Sequence, residues 1–330
     1  MTIAIKRSFA LVGALFALLL FATNLSSAQV TTGGGNGFRI SPVRSEYTIE
    51  KGGSQLLTIT IENPTDSNVL AQPVVNDFIS SDNETGEPRL ILDDSVEPPK
   101  NSFKRLVETP SEIELGPREQ KEVPITVRVP ENANAGGYYG AIRFVPAAAP
   151  GSGNVGLTAS VGTIVLVRVP GNLTERLDLV ELTAGQNGKS KSFFTGGDVS
   201  VLSRLKNDGD IHLQPFGKVQ IKNMFGSVVH EYEFNNVDPR ANILPGSIRK
   251  FEDVIEKPDK GWVGRYSITV NLGISQGSGN LITSTATFWY MPVWALIVLA
   301  IIILGLAAGG YFLYKRFSVP KPKHGAKKKK

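Results

Sequence analysis

The fold of this chain is decided by residues 55–62, which read QLLTITIE. Leucine and isoleucine at positions 57, 59 and 61 alternate with threonine and glutamate, so one face is apolar and the other polar. Residues 122–129, EVPITVRV, repeat this period of two. β-Branched side chains at that period are typical of half-buried strands. Both segments therefore predict strands that cover one side of a hydrophobic core.

Similar strand patterns continue through the rest of the chain. Further candidates lie at 218–221, 248–254, 266–272 and 281–288. Many short strands separated by Gly, Pro and Asn indicate β-sandwiches, and 330 residues suggest about two domains as a soft prior. We therefore expect an all-β protein with two immunoglobulin-like sandwiches in tandem, at residues 38–170 and 171–290, followed by one C-terminal transmembrane helix.

The two halves of the chain repeat the same order of strands and turns, which supports two sandwiches. A strand ends in NPTD at 63–66 in the first half and in NDGD at 207–210 in the second. Asn and Asp favour such turns because their side chains bond their own backbone. Each half then continues through a turn that contains Gly and Pro, LGP at 115–117 and LPG at 244–246, to a strand that opens on Gly and Tyr, GGYYG at 136–140 and GRYSI at 264–268.

The first half also carries an insertion at residues 78–110, with a predicted loop tip at 82–86. Inserted loops at the end of a sandwich commonly carry binding function. Five acidic residues lie within the insertion or directly before it: Asp77, Asp82, Glu84, Asp93 and Asp94. Calcium prefers oxygen ligands of this kind, but the loop spacing D-x-D-x-D-G is absent. Calcium is therefore only an alternative, and we predict no metal and no cofactor.

The N-terminal end is typical of a secreted protein. Lys6 and Arg7 precede an apolar run at 9–22, which is too short for a hydrocarbon core that needs about 20 residues. A basic start, a short apolar run and small residues before a cleavage site describe a secretory signal peptide. We predict a signal peptide at 1–28 and a flexible leader at 29–37.

The C-terminal end predicts a membrane anchor. Residues 293–313 contain no charge and no proline, and as a helix they would span about 31 Å at about 1.5 Å per residue. We predict a transmembrane helix at 291–314 and a basic cytoplasmic tail at 315–330, which leaves the sandwiches outside the cell by the positive-inside rule. The expected membrane-interface anchors are Trp289, Tyr290, Trp294, Tyr311, Tyr314, Lys315 and Arg316.

The net charge of +5 comes from the two ends of the chain. The first 28 residues hold two basic side chains and the last 16 hold eight, which leaves 25 basic against 30 acidic side chains in between. The part between the ends therefore carries a net charge of −5. We expect a lipid bilayer as a partner and no nucleic acid.

Two short segments match enzyme motifs, but neither has the neighbouring elements that the motif requires. The chain has no cysteine, which excludes disulfides and thiol catalysis. Residues 151–156, GSGNVG, fit a dinucleotide fingerprint but are not preceded by a strand and followed by a helix. Residues 273–277, GISQG, fit the G-x-S-x-G nucleophile elbow of α/β-hydrolases, whose serine works with a later acidic residue and a later histidine. No Asp or Glu follows residue 277, and His324 is the only later histidine. We predict that the protein is not an enzyme; an extracellular hydrolase is the enzymatic alternative.

The Tyr138–Tyr139 pair offers one candidate ligand contact. In a strand the two rings must point to opposite faces. Tyr138 shares the parity of Ile142 and Phe144, which predicts that Tyr138 lies in the core. Tyr139 is then expected on the surface, where an aromatic ring can stack on a sugar.

Three segments resemble the WxL-interacting protein family of Gram-positive surfaces. They read RISPVRSEYTIEKGGSQLLTITIENPTDSNVLAQPVVNDF at 39–78, SFKRLVETPSEIELGPREQKEVPITVRVP at 102–130 and AGGYYGAIRFVP at 135–146. The plan of signal peptide, two β-rich ectodomains, membrane helix and basic tail is similar too. The resemblance implies a peptidoglycan-binding first domain and a second domain that contacts other surface proteins or a host.

Two hypotheses about function follow. The first is a single-pass protein of the cell membrane that binds and adheres outside the cell, engaging cell-wall peptidoglycan or another surface protein through its sandwiches. The alternative is an assembly factor similar to a pilus chaperone, which would act by pairing an exposed strand edge with a partner strand.

Overall fold

The computed structural model describes residues 37–147, 159–255, 262–274 and 281–318. Within these ranges the chain consists mainly of β-strands, followed by one long helix. The predicted signal peptide, the leader before Gly37 and the basic tail after Ser318 lie outside the described residues. The motif at 151–156 and most of the motif at 273–277 lie outside them as well.

The first sandwich is built from two sheets. One has the strand order β1-β3-β8-β6 and the other β2-β10-β9-β4-β5, with β7 also paired to β4. The strands are β1 (Arg39–Ser41), β2 (Arg44–Thr48), β3 (Ser54–Glu62), β4 (Val69–Ser80), β5 (Pro88–Leu90), β6 (Val107–Glu108), β7 (Ile113–Leu115), β8 (Gln120–Arg128), β9 (Gly136–Ala147) and β10 (Val161–Val169). A 3₁₀ helix at Lys104–Leu106 precedes β6.

Side-chain alternation explains the core of the first sandwich. The inward-facing apolar residues of β3 are buried, and Leu57 lies opposite Ile125 of β8 in the antiparallel register. From the facing sheet, Ile142 and Phe144 of β9 enter the same core. Tyr138 joins them, with 4% of its surface exposed and its hydroxyl donating to the Asn134 carbonyl at 3.1 Å. The prediction that Tyr138 is a core residue is confirmed.

The second sandwich repeats this design with another pair of sheets. Their strand orders are β12-β11-β14-β17 and β13-β19-β18-β15-β16. The strands are β11 (Leu177–Gln186), β12 (Lys189–Ser190), β13 (Phe193–Phe194), β14 (Val199–Asn207), β15 (Phe216–Asn223), β16 (Val228–Phe234), β17 (Ile248–Ile255), β18 (Gly264–Gly273) and β19 (Ile282–Tyr290). Aromatic rings dominate its core, where Trp262 stacks on Tyr266 at 4.8 Å between ring centroids.

The predicted fold class is confirmed: the chain is mostly β, with two sandwiches and one C-terminal apolar helix. The two main hydrophobic cores lie on either side of residues 170–176, which contain no strand. We infer that each core with its two sheets is one domain.

The C-terminal helix, α1 (Val293–Phe317), begins directly after the last sheet. The helix has 25 residues, its most apolar 18-residue stretch has a mean hydropathy of 2.6, and most of its apolar side chains are exposed. At about 1.5 Å per residue a helix of this length measures about 37 Å, enough to cross a ~30 Å hydrocarbon core. Among the described residues, this is the helix that is long and apolar enough to span a membrane.

The internal repeat places one buried asparagine at the same point of each sandwich. The Asn63 side-chain amide donates to the carbonyls of Ser67 at 2.8 Å and Gly116 at 2.7 Å. The Asn207 amide donates to the carbonyls of Ile211 at 2.8 Å and Ile243 at 2.8 Å. Each asparagine therefore ties its own turn to a later turn of the same half, which contains Gly116-Pro117 in the first half and Pro245-Gly246 in the second.

The side-chain oxygens of these asparagines complete the turns that the sequence predicts. Asn63 accepts from the Thr65 N–H at 3.0 Å, and Asn207 accepts from the Gly209 N–H at 2.9 Å. Both side chains are fully buried. The conformation is an Asx turn, in which the side chain bonds the backbone two residues later.

We expect Asn207→Ala to lower the free energy of unfolding by about 1–3 kcal/mol, because buried backbone groups lose their partner. Urea unfolding of the full chain in detergent measures this loss. Asn132→Ala is the matched control, since Asn132 is exposed, and it should change stability by less than about 0.5 kcal/mol. Equal small effects of the two variants would show that the asparagine cross-link is not a stabilising element.

Candidate functional site

The insertion at 78–110 leaves the first sandwich as a hairpin of β4 and β5 and returns through the 3₁₀ helix and β6. The hairpin tip is closed by an Asx turn in which Asn83 accepts from the Thr85 N–H at 3.1 Å. Gly86 has a φ of +77°, and an added Cβ there would collide with the Arg249 guanidinium of the second sandwich. The tip is thus shaped to fit closely against the other sandwich.

The base of the insertion forms a groove on the first sandwich, called here the insertion groove. Its volume is about 340 Å³. Its floor is the end of β4, and its walls are the segment after β5 and the 3₁₀ helix. The lining residues are Asp77, Ile91, Asp93, Asp94, Val96, Pro98, Ser102, Lys104 and Arg105.

The buried Asp77 carboxylate holds the groove together. It accepts from the Ser102 hydroxyl at 2.7 Å and from the Lys104 backbone N–H at 3.0 Å. On the opposite side, the Asp77 carbonyl accepts from the Ile91 N–H at 2.8 Å. Asp77 therefore fixes both walls to β4, so the groove is preformed.

The rim of the insertion groove carries charges of both signs. The Lys104 ammonium pairs with Asp94 at 2.8 Å. Hydrogen bonds from Ser95 hold the pKa of Asp93 below its usual range, so its carboxylate is ionised at neutral pH. Arg105 is exposed and makes no hydrogen bond or ion pair with any described residue. Its guanidinium is free to take an anionic ligand.

The acidic residues of the calcium alternative do not converge. Asp77 is engaged by Ser102 and Lys104, and Asp82 lies 3.9 Å from Arg89. Glu84 points instead at the second sandwich. Across the ranges that the structure describes, no group of three or more His, Asp or Glu side chains is placed to hold a metal ion.

The expectation that Tyr139 lies on an open surface is wrong. Its ring packs against Phe78 at 5.9 Å and against His212 of the second sandwich at 5.6 Å. The Tyr139 hydroxyl accepts from the His212 backbone N–H at 2.7 Å. Burial raises its pKa, so the phenol stays protonated. The ring does point away from the core, but the second sandwich covers the surface it reaches.

A small apolar cluster surrounds this tyrosine and defines the junction between the sandwiches. Phe78 and Leu166 of the first sandwich pack against Leu244 of the second. Leu90 and Ile164 add partly buried side chains to the same cluster. The junction therefore has an apolar centre of its own, separate from the two main cores.

An ion pair fastens the tip of the insertion to the junction. The Arg204 guanidinium donates to the two carboxylate oxygens of Glu84 at 2.7 and 2.5 Å, and the Lys250 N–H donates to the Glu84 carbonyl at 2.8 Å. The hydrogen bonds from Arg204 hold the pKa of Glu84 below its usual range. Both side chains are only about a third exposed or less, at 31% and 28%. Bidentate geometry makes such pairs stronger than ordinary surface pairs.

A polar network closes the other side of the junction. Glu46 of β2 accepts from Gln214 at 3.0 Å and from Asn242 at 2.8 Å, both in the second sandwich. Burial raises the pKa of Glu46, but hydrogen bonds from Arg44 and Asn242 outweigh it, so that pKa lies below its usual range. Burial lowers the pKa of His212, so this histidine is neutral at pH 7.

Next to this network lies a cleft between the sandwiches, with a volume of about 330 Å³. Its arginines are already engaged. Arg168 pairs with Glu175 at 2.9 Å, and the Arg240 guanidinium lies 5.0 Å above the Phe216 ring. These partners leave the cleft without an unpaired arginine, in contrast to Arg105 in the insertion groove.

The predicted membrane-interface anchors separate into two groups. Trp289 is half exposed, and Trp294, Tyr311 and Tyr314 are exposed along α1. Lys315 and Arg316 form its last turn. Their role as anchors stays a prediction.

Tyr290 requires a correction, because it is buried and cannot be an interface anchor. Its ring stacks on Phe194 at 6.3 Å and meets Trp262 edge-on at 6.1 Å, inside the second core. The reason is strand alternation: with Trp289 facing outward on β19, the next residue must face inward.

The structure thus consists of two sandwiches and a C-terminal apolar helix, with a preformed groove on the first sandwich. Residues 46–145 match the family model described as WxL Interacting Protein, peptidoglycan binding domain. The insertion groove lies inside these residues. Residues 46–145 are therefore similar to that family of binding domains, as the resemblance predicts, and the match supports binding at a cell surface. No match was found among the curated proteins.

Several solved structures resemble the chain in fold. The class 5 fimbriae chaperone CfaA is 11% identical, with 78% of this chain and 100% of that one covered and a TM-score of 0.38. The E. coli chaperone DraB is 17% identical, with 76% and 96% covered and a TM-score of 0.33. These values are too low to support the pilus-chaperone hypothesis, which stays a prediction.

Some residues of the groove and the junction were named from the sequence, but for other roles: the acidic residues as a calcium alternative and Tyr139 as a sugar contact. The sequence offers one signal for the groove, the basic pair Lys104–Arg105 inside the insertion. It offers none for Glu84 and Arg204, which are 120 residues apart and lie on different sandwiches.

We expect Arg204→Gln to loosen the junction, because Glu84 loses its bidentate partner while both cores stay intact. Spin labels on cysteines introduced at Glu131 and Lys189, one exposed site on each sandwich, report the distance distribution between them. This distribution should broaden relative to the parent protein. Arg176→Gln, which breaks an exposed pair with Asp178 within the second sandwich, is the matched control. An unchanged distribution in Arg204→Gln would show that the ion pair does not hold the junction.

Proposed function

We propose that this chain is a membrane-anchored protein of the bacterial cell surface whose first sandwich binds peptidoglycan through the insertion groove. The observation that carries the proposal is the family match at residues 46–145, which encloses the groove. The second sandwich and α1 tie that contact to the cell membrane. The result is a non-enzymatic link between wall and membrane.

The chemistry of the groove suits this polymer. Peptidoglycan offers peptide carboxylates, amines and sugar hydroxyls within one repeating unit. Arg105 presents an unpaired guanidinium, which favours a carboxylate in a forked, charge-assisted contact. Asp93 supplies an ionised carboxylate for amines and hydroxyls on the same rim.

The junction gives the groove a fixed orientation. The hairpin tip that bonds Arg204 and the groove at its base belong to the same insertion. A wall ligand in the groove is therefore connected to the second sandwich through packed and hydrogen-bonded contacts. This connection keeps the groove at a fixed orientation to the second sandwich, whereas a loose linker would let the binding domain swing.

We expect Arg105→Gln to weaken binding of the full chain to purified peptidoglycan sacculi by about tenfold, the loss typical of one charge-assisted hydrogen bond. Co-sedimentation of the detergent-solubilised protein measures it. Arg89→Gln is the matched control, because Arg89 is also exposed in the insertion but lies outside the groove. Unchanged binding in both variants would place the wall contact elsewhere; absent binding by the parent protein would refute the proposed function.

We expect the two sandwiches to lie outside the cell and the basic tail inside. Because the chain has no cysteine, Glu131→Cys and Ser318→Cys each provide a single thiol. A membrane-impermeant maleimide should label Glu131→Cys in intact cells, and Ser318→Cys only after permeabilisation. The parent protein, which cannot be labelled, is the control. The reverse pattern would overturn the orientation.

A further inference from the structure

The connection between the second sandwich and α1 is very short. The Met291 N–H still donates to the Phe194 carbonyl at 2.7 Å, and α1 begins at Val293. Two residues reach at most about 7 Å. The polar layer on each side of a bilayer is about 5–7 Å thick. If α1 spans the membrane, as the proposed function requires, the end of the sandwich lies within this layer.

A hairpin tip lies at this same end of the sandwich. In the sheet register, Asn223 at the end of β15 pairs with Tyr266, and Gly264 pairs with Tyr290 at the end of β19. The tip that joins β15 to β16 therefore lies beside the start of α1. A Cβ added to Gly264 would meet the terminal methyl group of Met224, which shows that the tip is folded onto this end.

Large apolar side chains are exposed here. At the tip, Phe225 is 85% exposed and Met224 is 53% exposed. Phe193 of β13 and Trp289 of β19 are neighbours in the sheet and are 46% and 47% exposed. We call these four residues the membrane-proximal patch. Exposed apolar residues gathered at one place on a sandwich indicate a contact surface.

The tip is held in place by its own hydrogen bonds. The Asn223 side-chain oxygen accepts from the N–H groups of Phe225 at 3.0 Å and Ser227 at 3.0 Å. The Phe225 ring is thus presented outward on an ordered turn. Arg265, exposed and paired across the sheet with Trp289, adds a cation beside the patch.

We propose that the membrane-proximal patch inserts into the interfacial layer of the bilayer that α1 crosses, as a second attachment point of the second sandwich. Tryptophan and other amphipathic rings prefer the headgroup level, and a nearby arginine favours lipid phosphates. A single helix lets the sandwich rotate and tilt about its start. Two attachment points fix the tilt of the second sandwich and, through the junction, the orientation of the first.

The absence of cysteine allows single-site probes in the full-length chain reconstituted into vesicles of phosphatidylcholine and phosphatidylglycerol. The environment-sensitive fluorophore NBD is attached at Ser227→Cys in the tip, Leu281→Cys beside the start of β19, or Leu304→Cys in the middle of α1. Leu281 is exposed at the opposite end of the same strand and is the matched control. Spin-labelled lipids act as quenchers at shallow or deep positions.

We expect blue-shifted emission at the tip that shallow quenchers reduce, water-like emission at Leu281→Cys, and quenching of Leu304→Cys by deep labels. Adding Phe225→Asp to Ser227→Cys should return the tip to water-like emission. Water-like emission at the unaltered tip, with Leu304→Cys still quenched, would overturn the second attachment and leave the anchor standing. Loss of quenching at Leu304→Cys would instead refute the membrane anchor of the proposed function, and the inference with it.

Discussion

Strand alternation, which turns neighbouring side chains to opposite faces of a sheet, is the constraint on which this structure depends. It sends Tyr138 into the first core and Tyr139 outward to the second sandwich. It likewise sends Tyr290 into the second core and leaves Trp289 outside, at the end next to α1. In each pair one ring packs inside a sandwich core, and the other lies on the outer face of the same sheet.

The base and the tip of the insertion at 78–110 make different contacts. Its base forms a groove around the buried Asp77, and its tip carries Glu84 to Arg204 on the second sandwich. The apolar cluster around Leu166 and the network around Glu46 complete the junction. The segment that forms the groove also joins the sandwiches, so the groove and the orientation of the two sandwiches are physically connected.

The second constraint is the short connection between the last strand and α1. Met291 is still bonded to the sheet, and the helix begins two residues later. Whatever plane the helix crosses, the end of the second sandwich lies close to it. For a membrane crossed by α1, as proposed, the exposed rings at that end, Phe225 above all, face the membrane surface rather than open solvent.

Local patterns in the sequence were enough to predict several strands, the apolar helix, the two-sandwich plan and the family that residues 46–145 match. These depend on side-chain period, hydropathy and turn residues such as Asn63 and Asn207, which act locally. Only the tertiary structure decided that Tyr139 is covered by a residue 73 positions away and that Glu84 meets one 120 positions away. Such contacts depend on how two separately folded units pack together, and no local pattern within either unit encodes the partner's position.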